Sequence, residues 1–262
     1  MAGLSIVIVS HNKPRFVKEA VQGVLDQTFS DWQGILMDSG VLLGQGFFDY
    51  LHEPRLKVVP SGETPELART KNMASWCFNR LLNSGQLTGE LIMYLNDDDL
   101  LYPEAFESYW EFYVQHERLP QAMYASQDIG LVDPQGKTQI IGRRVADRPG
   151  GRLCKGRRLD CRVDYLQFCH TAKILEKFRE VYKTTQYHSE DKRDAHHADG
   201  IFMEQIGALT KVFNIEKVLS MNRRTLQSAN LEYAASPIGR LLVSFRAKLR
   251  GAWERVSSRR RY

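Results

Sequence analysis

The sequence lacks the features of membrane-spanning proteins, of secreted proteins and of proteins stabilised by a structural metal ion. Its 262 residues include only four cysteines, and no two of them have the CxxC spacing of a zinc or redox module. No apolar stretch approaches the roughly 18 residues of a transmembrane helix, and the apolar run at the N-terminus is too short for a signal peptide. Internal repeats and low-complexity segments are also lacking. We therefore expect a reduced, cytoplasmic protein.

What is present suffices for one large domain with an appendage. Hydrophobic residues make up 43% of the chain, which is enough to bury a full core. The formal charge of +5 is uneven, because residues 236–262 contain eight Lys or Arg and one acid. We therefore divide the chain into a domain of residues 1–235, with halves 1–110 and 111–235, and a basic tail of residues 236–262.

The first half alternates short β-branched runs with amphipathic segments. This alternation predicts an α/β fold with a largely parallel sheet. Predicted strands are LSIVIVS at the N-terminus, 32–37, 55–59 and 90–95. Predicted helices follow Asn12 as the N-cap, cover 67–82 as one segment, and follow Pro103.

The second half has a looser pattern. The segments MYAS and IGLVDPQGKTQII predict short strands around a DPQG turn. Residues 142–163 contain eight Lys or Arg and predict a basic loop, which could cover a diphosphate or hold an anionic acceptor. Further helices are expected at 171–182 and after Asp199.

Three polar clusters follow three of the predicted strands. They are SHN at 10–12, DSG at 38–40 and NDDD at 96–99. Because open α/β sheets bind ligands beyond the carboxyl ends of their strands, we expect these clusters to line one crevice.

The acid triplet in NDDD allows two interpretations. Carboxylates at a strand end can hold Mg²⁺ or Mn²⁺ on a diphosphate, and a neighbouring carboxylate can accept hydrogen bonds from a sugar hydroxyl. The alternative is that the triplet is the polar start of the following helix, stabilised by the helix dipole. The triplet alone does not choose between them.

The sequence resembles glycosyltransferase family 2, whose members share the nucleotide-sugar-binding GT-A fold. SIVIVSHNKPRFVKEAVQGVLDQTFSDWQGILMDSG is similar to the family's SVIIPTYN opening, its QTY or QTF segment and its strand ending in DD. LNDDDLLYP resembles the family's LDxDD segment. The resemblance is strong over residues 4–110, weaker over 164–215, and includes spore-coat-polysaccharide members. It implies a Rossmann-like, mixed but mostly parallel central sheet flanked by helices.

The resemblance also implies roles for the acids of the first half. It makes Asp98 a ligand of Mn²⁺ or Mg²⁺, with Asp99 beside it as a second candidate and Asp97 as a donor-binding residue. Asp38 is expected to contact the nucleobase. Members often carry acids at the positions of Ser39 and Asn96. The change at Ser39 weakens an expectation that the nucleobase is uracil, and the change at Asn96 leaves the metal site with fewer acidic ligands.

Further donor-binding positions follow from the same resemblance. Ser10, His11 and Asn12 are expected to line the nucleoside pocket. Arg69 and Lys71 match the place of basic residues near the diphosphate, although a solvated helix face is the favoured explanation of both.

The catalytic base is expected late in the chain. Inverting transfer needs a carboxylate to take the acceptor's proton, and the resemblance places it at Asp199, with Ala198 where members usually carry Glu. The alternative is that Asp199 is a helix N-cap. A zinc site is a further alternative, because several residues that can bind zinc lie nearby, although their spacing fits no standard site: His188, Glu190, Asp191, Asp194, His196 and His197. His170 is expected to be a partly buried structural residue.

The basic tail has cations interspersed with apolar residues at helical intervals. Leu241, Leu242, Phe245, Leu249 and Trp253 form the apolar series. Such a helix can lie on an anionic membrane, or pack on the domain or on the partner in a homodimer, and a disordered tail is the third interpretation. No recognition motif accompanies the charge, so nucleic acid is not expected as a partner.

The sequence thus predicts an inverting, metal-dependent glycosyltransferase. Its donor would be a nucleotide-diphosphate sugar and its acceptor a bacterial surface glycan or lipid-linked precursor, at the inner face of the cytoplasmic membrane. A sugar nucleotidyltransferase is disfavoured because no glycine-rich phosphate loop follows the first strand. A non-catalytic nucleotide-sugar-binding or scaffold protein is the remaining alternative.

Overall fold

The computed structural model describes residues 2–133, 135–144, 163–195 and 197–224. Within these residues the chain forms a nine-stranded mixed sheet with helices on both faces, which confirms the α/β expectation. The basic tail, His196 and most of the predicted basic loop lie outside the described residues.

The first half of the chain supplies five strands and four helices of the described structure. The strands are β1 Leu4–Ser10, β2 Trp32–Asp38, β3 Leu56–Pro60, β4 Leu91–Asn96 and β5 Leu100–Leu101. The helices are α1 Pro14–Leu25, α2 Pro65–Thr70, α3 Met73–Leu82 and α4 Ala105–Gln115. All seven residues of β1 are buried, as expected for a strand covered on both faces.

The second half adds four strands and two helices to the described structure. The strands are β6 Ala122–Val132, β7 Thr138–Arg144, β8 Phe168–Thr171 and β9 Val212–Arg224. The helices are α5 Ala172–Tyr182 and α6 Ala198–Leu209. The sequence predicted two short strands where β6 is one strand of eleven residues, and it did not predict β5 or β9.

The sheet has the strand order β3-β2-β1-β4-β8-β6-β9-β5, with β7 paired to β6. Strands β3, β2, β1 and β4 are parallel. The register pairs Ser10 with Asp38 and Val9 with Asn96. The three strands that precede the polar clusters therefore end side by side.

Helices pack on both faces of this sheet. Buried side chains of α1 and α4, including Val21 and Phe106, join one core, and those of α3, α5 and α6, including Phe78, Leu175 and Phe202, join the other. The two cores hold the carboxyl ends of the strands in fixed positions.

Two helix predictions need correction. Asn12 does not cap α1: it has a positive φ of 53°, and Lys13 is the N-cap residue. The predicted single helix 67–82 is broken into α2 and α3, because Lys71 and Asn72 are extended. Lys71 pairs there with Asp191 in an isolated β-bridge. A tertiary contact thus interrupts a helical sequence pattern.

Candidate active site

A pocket of about 430 Å³ lies beyond the carboxyl ends of β1, β2 and β4. The sequence clusters after all three strands contribute to it, as the strand order requires. Among the described residues its lining is Val9, His11, Lys13, Ser39, Glu63, Ala68, Met73, Ala74, Asn96, Asp97 and Asp98. The pocket therefore combines an apolar part from the α2–α3 region with a charged corner from the acid turn.

The charged corner is a three-membered ion cluster. The Lys13 ammonium lies 3.1 Å from Asp97 Oδ1 and 2.8 Å from Asp98 Oδ2. The backbone N–H of His11 donates to Asp97 Oδ2 at 2.7 Å. Burial raises the pKa of Asp97, and the charge of Lys13 opposes this rise. Burial lowers the pKa of Lys13, but the charges of Asp98 and Asp97 outweigh it and raise this pKa above its usual value. Lys13 is thus held as a cation.

Asp99 lies beneath the acid turn and away from the pocket. Its Oδ1 accepts hydrogen bonds from Asn222 Nδ2 and from the backbone N–H of Arg223, both at 3.0 Å. Only 1% of Asp99 is exposed, and burial followed by the charge of Asp98 raises its pKa well above the usual value. These contacts give Asp99 the geometry of a turn-stabilising residue, although the sequence placed it among the metal ligands.

Arg223 supports the same turn from below. It is 2% exposed, its Nε donates to the backbone oxygen of Asp98 at 2.5 Å, and its guanidinium also pairs with Glu19 on α1. The last strand of the described chain therefore fixes the backbone on which Asp98 and Asp99 stand.

The three residues at the end of β1 have different positions. Ser10 is fully buried below the pocket, and no described residue hydrogen-bonds its Oγ. His11 lines the pocket, and its Nδ1 lies 3.1 Å from both the backbone oxygen and Oγ of Ser39. Asn12 Oδ1 accepts from the backbone N–H of Val41 at 3.0 Å. Of the three, His11 is thus the one that faces the pocket.

Asp38 is occupied by the loop that follows β2. Its Oδ2 accepts from the N–H of Leu43 at 2.9 Å and its Oδ1 from the N–H of Gly40 at 3.3 Å, and it is 3% exposed. Ser39, at the position where family members often carry an acid, lines the pocket instead. The predicted contact of Asp38 with a nucleobase stays a prediction.

Arg69 and Lys71 are not among the described residues that line the pocket. Lys71 Nζ pairs with Glu190 Oε2 at 3.0 Å. Arg69 is exposed on α2, and its backbone oxygen accepts from Lys192 Nζ at 3.4 Å. Lys71 thus connects the first half of the chain, residues 1–110, to the segment that leads to α6.

Asp199 stands in the first turn of α6. The N-cap residue of this helix is His197, so the interpretation of Asp199 as the N-cap is wrong. Asp199 Oδ1 accepts only the adjacent N–H of Gly200, at 2.8 Å, among the hydrogen bonds of the described residues. Burial, followed by the negative charge of Asp164, raises the pKa of Asp199 to about 7. Asp199 therefore has the proton affinity of a general base that works near neutral pH.

Asp164 and Arg144 lie close to both acid sites, and sequence reasoning did not single them out. Asp164 pairs with Arg144, accepts from Gln127 Nε2 at 3.0 Å, and its charge raises the pKa of both Asp99 and Asp199. No local sequence signal could have identified this pair, because its members lie 20 positions apart in the chain. The sequence does contain a signal for Lys13 as a pocket residue, because Lys13 directly follows the strand-end cluster SHN.

The histidines near α6 are largely structural. His188 is fully buried, its Nδ1 lies 2.9 Å from Tyr165 Oη, and burial lowers its pKa well below the usual value. His170, expected to be partly buried, is fully buried, and its Nε2 lies 2.7 Å from Tyr94 Oη. Among the described residues, no group of three or more His, Cys, Asp or Glu could hold a metal ion. The zinc alternative therefore has no support within these residues.

Comparison with known proteins identifies the family of this chain. Residues 5–157 match the family model described as Glycosyl transferase family 2. Protein CgeD of Bacillus subtilis (strain 168) is 26% identical over 247 residues, which cover 92% of this chain and 55% of CgeD.

Crystal structures of S. aureus TarS have the same fold. A TarS fragment in complex with UDP-GlcNAc has a TM-score of 0.59 and 14% identity, over 84% of this chain and 58% of the fragment. The same fragment in complex with UDP has a TM-score of 0.60 and 13% identity, over 89% of this chain and 66% of the fragment. The chain thus spans about half to two thirds of the length of these relatives. With more than half of its residues matched by the family model, the chain belongs to glycosyl transferase family 2.

Proposed function

We propose that this glycosyltransferase transfers a sugar from a nucleoside-diphosphate sugar to a glycan hydroxyl, with inversion at the anomeric carbon and with the help of a divalent metal. The observation that carries the proposal is the strand-end pocket, which joins an apolar space to a cluster of two carboxylates and one ammonium group. A nucleoside suits the apolar part, and a diphosphate suits the charged corner. The UDP-GlcNAc complex of TarS supports a uridine nucleotide as the first donor to test.

Asp199 is the proposed base. The acceptor oxygen forms a bond to the anomeric carbon while the bond from that carbon to the diphosphate oxygen breaks. The hydroxyl proton passes to the Asp199 carboxylate, and the nucleoside diphosphate leaves with the bonding electron pair. A carboxylate whose pKa is about 7 holds this proton more readily than an exposed carboxylate would.

Asp98 and Asp97 are the proposed metal ligands. Carboxylate oxygens are ligands that Mg²⁺ and Mn²⁺ prefer, and the Lys13 ammonium, which lies between these two side chains, supports a cation position there. The metal would neutralise charge on the leaving diphosphate. Asp99 is left out because Asn222 and Arg223 hold its carboxylate below the turn.

The proposed acceptor is a bacterial surface glycan or its lipid-linked precursor, which the protein would meet at the inner face of the cytoplasmic membrane. The family resemblance supports the acceptor class, and the basic tail of residues 236–262 supports the location at the membrane. None of the described helices has the length and apolar character needed to cross a bilayer.

Thermal-shift binding tests the donor site. We expect one of UDP, GDP, dTDP and CDP to raise the melting temperature of the wild type with Mn²⁺ present, and to leave Asp98→Ala unchanged. Asp133→Ala, which changes an acid of the loop after β6 outside the pocket, is the matched control. No shift with any nucleotide would contradict the proposed donor site.

Product analysis tests the reaction. We expect release of a nucleoside diphosphate and a product of inverted anomeric configuration by NMR. Release of pyrophosphate would indicate a nucleotidyltransferase instead. Donor binding without turnover, together with no loss of function in Asp199→Asn, would favour the non-catalytic alternative that Ser39 and Asn96 motivate.

A further inference from the structure

Lys13 occupies the position between the two carboxylates that a metal would need. Its ammonium lies within 3.1 Å of an oxygen of Asp97 and within 2.8 Å of an oxygen of Asp98. A divalent cation at those oxygens would lie within a few ångströms of the ammonium, and like charges at that distance repel strongly in a partly buried site. The ammonium and the metal therefore compete for one place.

Contacts other than those with Lys13 hold the Asp97 carboxylate and the backbone of Asp98. The N–H of His11 holds Asp97, and Arg223 Nε holds the backbone oxygen of Asp98. Lys13 itself has a flexible four-carbon stem, and 23% of its side chain is exposed. Lys13 can thus leave a binding site that the backbone keeps in shape.

Lys13 also faces the space where we place the diphosphate. It lines the same pocket as His11, Ser39 and Asp98. Its ammonium can exchange two carboxylate partners for phosphate oxygens that bind in the same pocket. The exchange keeps Lys13 paired and frees both carboxylates.

We propose that Lys13 is a built-in cation that excludes divalent metal from Asp97 and Asp98 in the free protein and moves to the donor diphosphate when it binds. Metal and nucleotide then bind together, and neither occupies the site well alone. The exclusion of metal depends only on Lys13 and the two carboxylates, whereas the exchange onto a diphosphate rests on the proposed function.

Mn²⁺ binding to the full chain tests this inference without any turnover. Free Mn²⁺ is measured by electron paramagnetic resonance during titration of the wild type, Lys13→Met, Lys13→Arg and the control Lys18→Met. Lys18 is an exposed lysine on α1, the helix that follows Lys13, and its ammonium lies over the Tyr50 ring. We expect Lys13→Met to bind Mn²⁺ alone at least tenfold more tightly than the wild type, and the other two variants to resemble the wild type.

The titrations are then repeated with UDP, GDP, dTDP and CDP. We expect the matching nucleotide to tighten Mn²⁺ binding to the wild type at least tenfold and to change Lys13→Met much less. Each protein is first checked by its melting curve. If Lys13→Met does not fold, Lys13→Gln replaces it, because its amide keeps a hydrogen-bond donor for the carboxylates without the charge.

Two results would overturn the inference: Mn²⁺ binding to Lys13→Met that is no tighter than to the wild type, or no nucleotide that tightens Mn²⁺ binding to the wild type. The proposed function fails separately. If no nucleotide sugar is turned over but Lys13→Met gains Mn²⁺ affinity, the exclusion of metal stands and the transferase proposal falls. If turnover needs metal but Lys13→Met gains no affinity, only the role of Lys13 falls.

Discussion

At the scale of single residues, the environment of each acid sets what it can do. Asp97 and Asp98 pair with the Lys13 ammonium. Asp99 accepts hydrogen bonds from Asn222 and from the backbone of Arg223, and Asp199 lies half-buried near Asp164. The differences arise from contacts with β1, β9 and the Asp164 region, although three of these acids are adjacent in sequence.

The raised pKa of Asp199 predicts the pH dependence of the reaction. A base acts only when deprotonated, so kcat/KM should rise with pH through a single ionisation near pH 7. Asp164→Asn removes the nearby charge that contributes to the rise, and should move this ionisation to lower pH. A pH–rate profile of both proteins checks this, and an unmoved midpoint in Asp164→Asn would contradict the electrostatic explanation.

The same group predicts a pH-dependent stability change. The folded pKa of Asp199 is about 7 against an ordinary value of 3.8, so the folded state binds the proton more tightly than the unfolded state does. Ionisation of Asp199 therefore destabilises the fold as pH rises from about 4 to about 7, by at most about 4 kcal/mol. Asp199→Asn should lose activity about 10²- to 10⁴-fold and yet melt at a higher temperature than the wild type at pH 8.

The comparison at low pH provides the control for this prediction. At pH 3, below the ordinary pKa of 3.8, position 199 is mostly neutral in the folded and unfolded states of both proteins, so their melting temperatures should converge. Equal melting temperatures at pH 8 would show that Asp199 carries no desolvation cost in the folded state.

At the scale of elements, the loops after β1 and β2 are interlocked. A Cβ added at Gly40 would lie 2.2 Å from Asn12 Oδ1, which accepts from the N–H of Val41. Real Cβ atoms do not approach so closely, so either the Asn12 side chain or the loop backbone must shift. Both loops carry pocket residues, and we therefore expect the shift to reach the pocket.

Gly40→Ala is thus expected to destabilise the protein by about 1 to 3 kcal/mol and to weaken nucleotide binding. Gly44→Ala is the matched control, since a Cβ at Gly44 meets no atom within 4 Å. Urea unfolding and nucleotide titration of both variants check the prediction. Equal behaviour of the two variants would contradict the interlocked arrangement.

Helix α3 holds the segment that leads to α6 through one buried side chain. Asn79 is 4% exposed, its Nδ2 donates to the backbone oxygen of His188 at 2.8 Å and to Glu190 Oε1 at 2.9 Å, and its Oδ1 accepts from the His188 N–H at 2.9 Å. Because α6 carries Asp199, this contact links α3, in the first half of the chain, to the proposed base.

Asn79→Ala leaves the backbone groups of His188 without their partner, and it should lower the free energy of unfolding by about 1 to 3 kcal/mol. Asn83→Ala, at an exposed residue that donates to the backbone oxygens of Asn79 and Thr185, should lower it less. Denaturant unfolding of both variants measures the difference. An equal loss in both would show that the buried position of Asn79 has no special weight.

At the scale of the whole molecule, charge is separated along the chain. Residues 236–262 carry a net charge of +7, from eight basic residues and one acid, while the full chain carries +5. The rest of the chain is therefore slightly acidic. A basic segment with interspersed apolar residues is attracted to anionic membranes, by about 1 kcal/mol for each cation near the surface.

The full chain should therefore sediment with vesicles that contain phosphatidylglycerol at low salt. It should be released at high salt, because exposed charges are screened there. A variant with the tail arginines 240, 246, 250 and 255 changed to glutamine should remain in the supernatant. Binding of the variant at wild-type strength, or of the wild type to neutral vesicles, would exclude the electrostatic mechanism.

The sequence by itself determined the α/β class, the crevice and the family, because these depend on local patterns. A short β-branched run such as LSIVIVS favours a strand covered on both faces, and parallel strands bring their polar ends together at one edge of the sheet. Tertiary contacts alone decided the break between α2 and α3, the ion cluster of Lys13 with Asp97 and Asp98, and the removal of Asp99 from the pocket. These features join residues 84 to 124 positions apart in the chain. Local propensity does not encode such contacts, because they form only when the strands and helices have packed into one sheet.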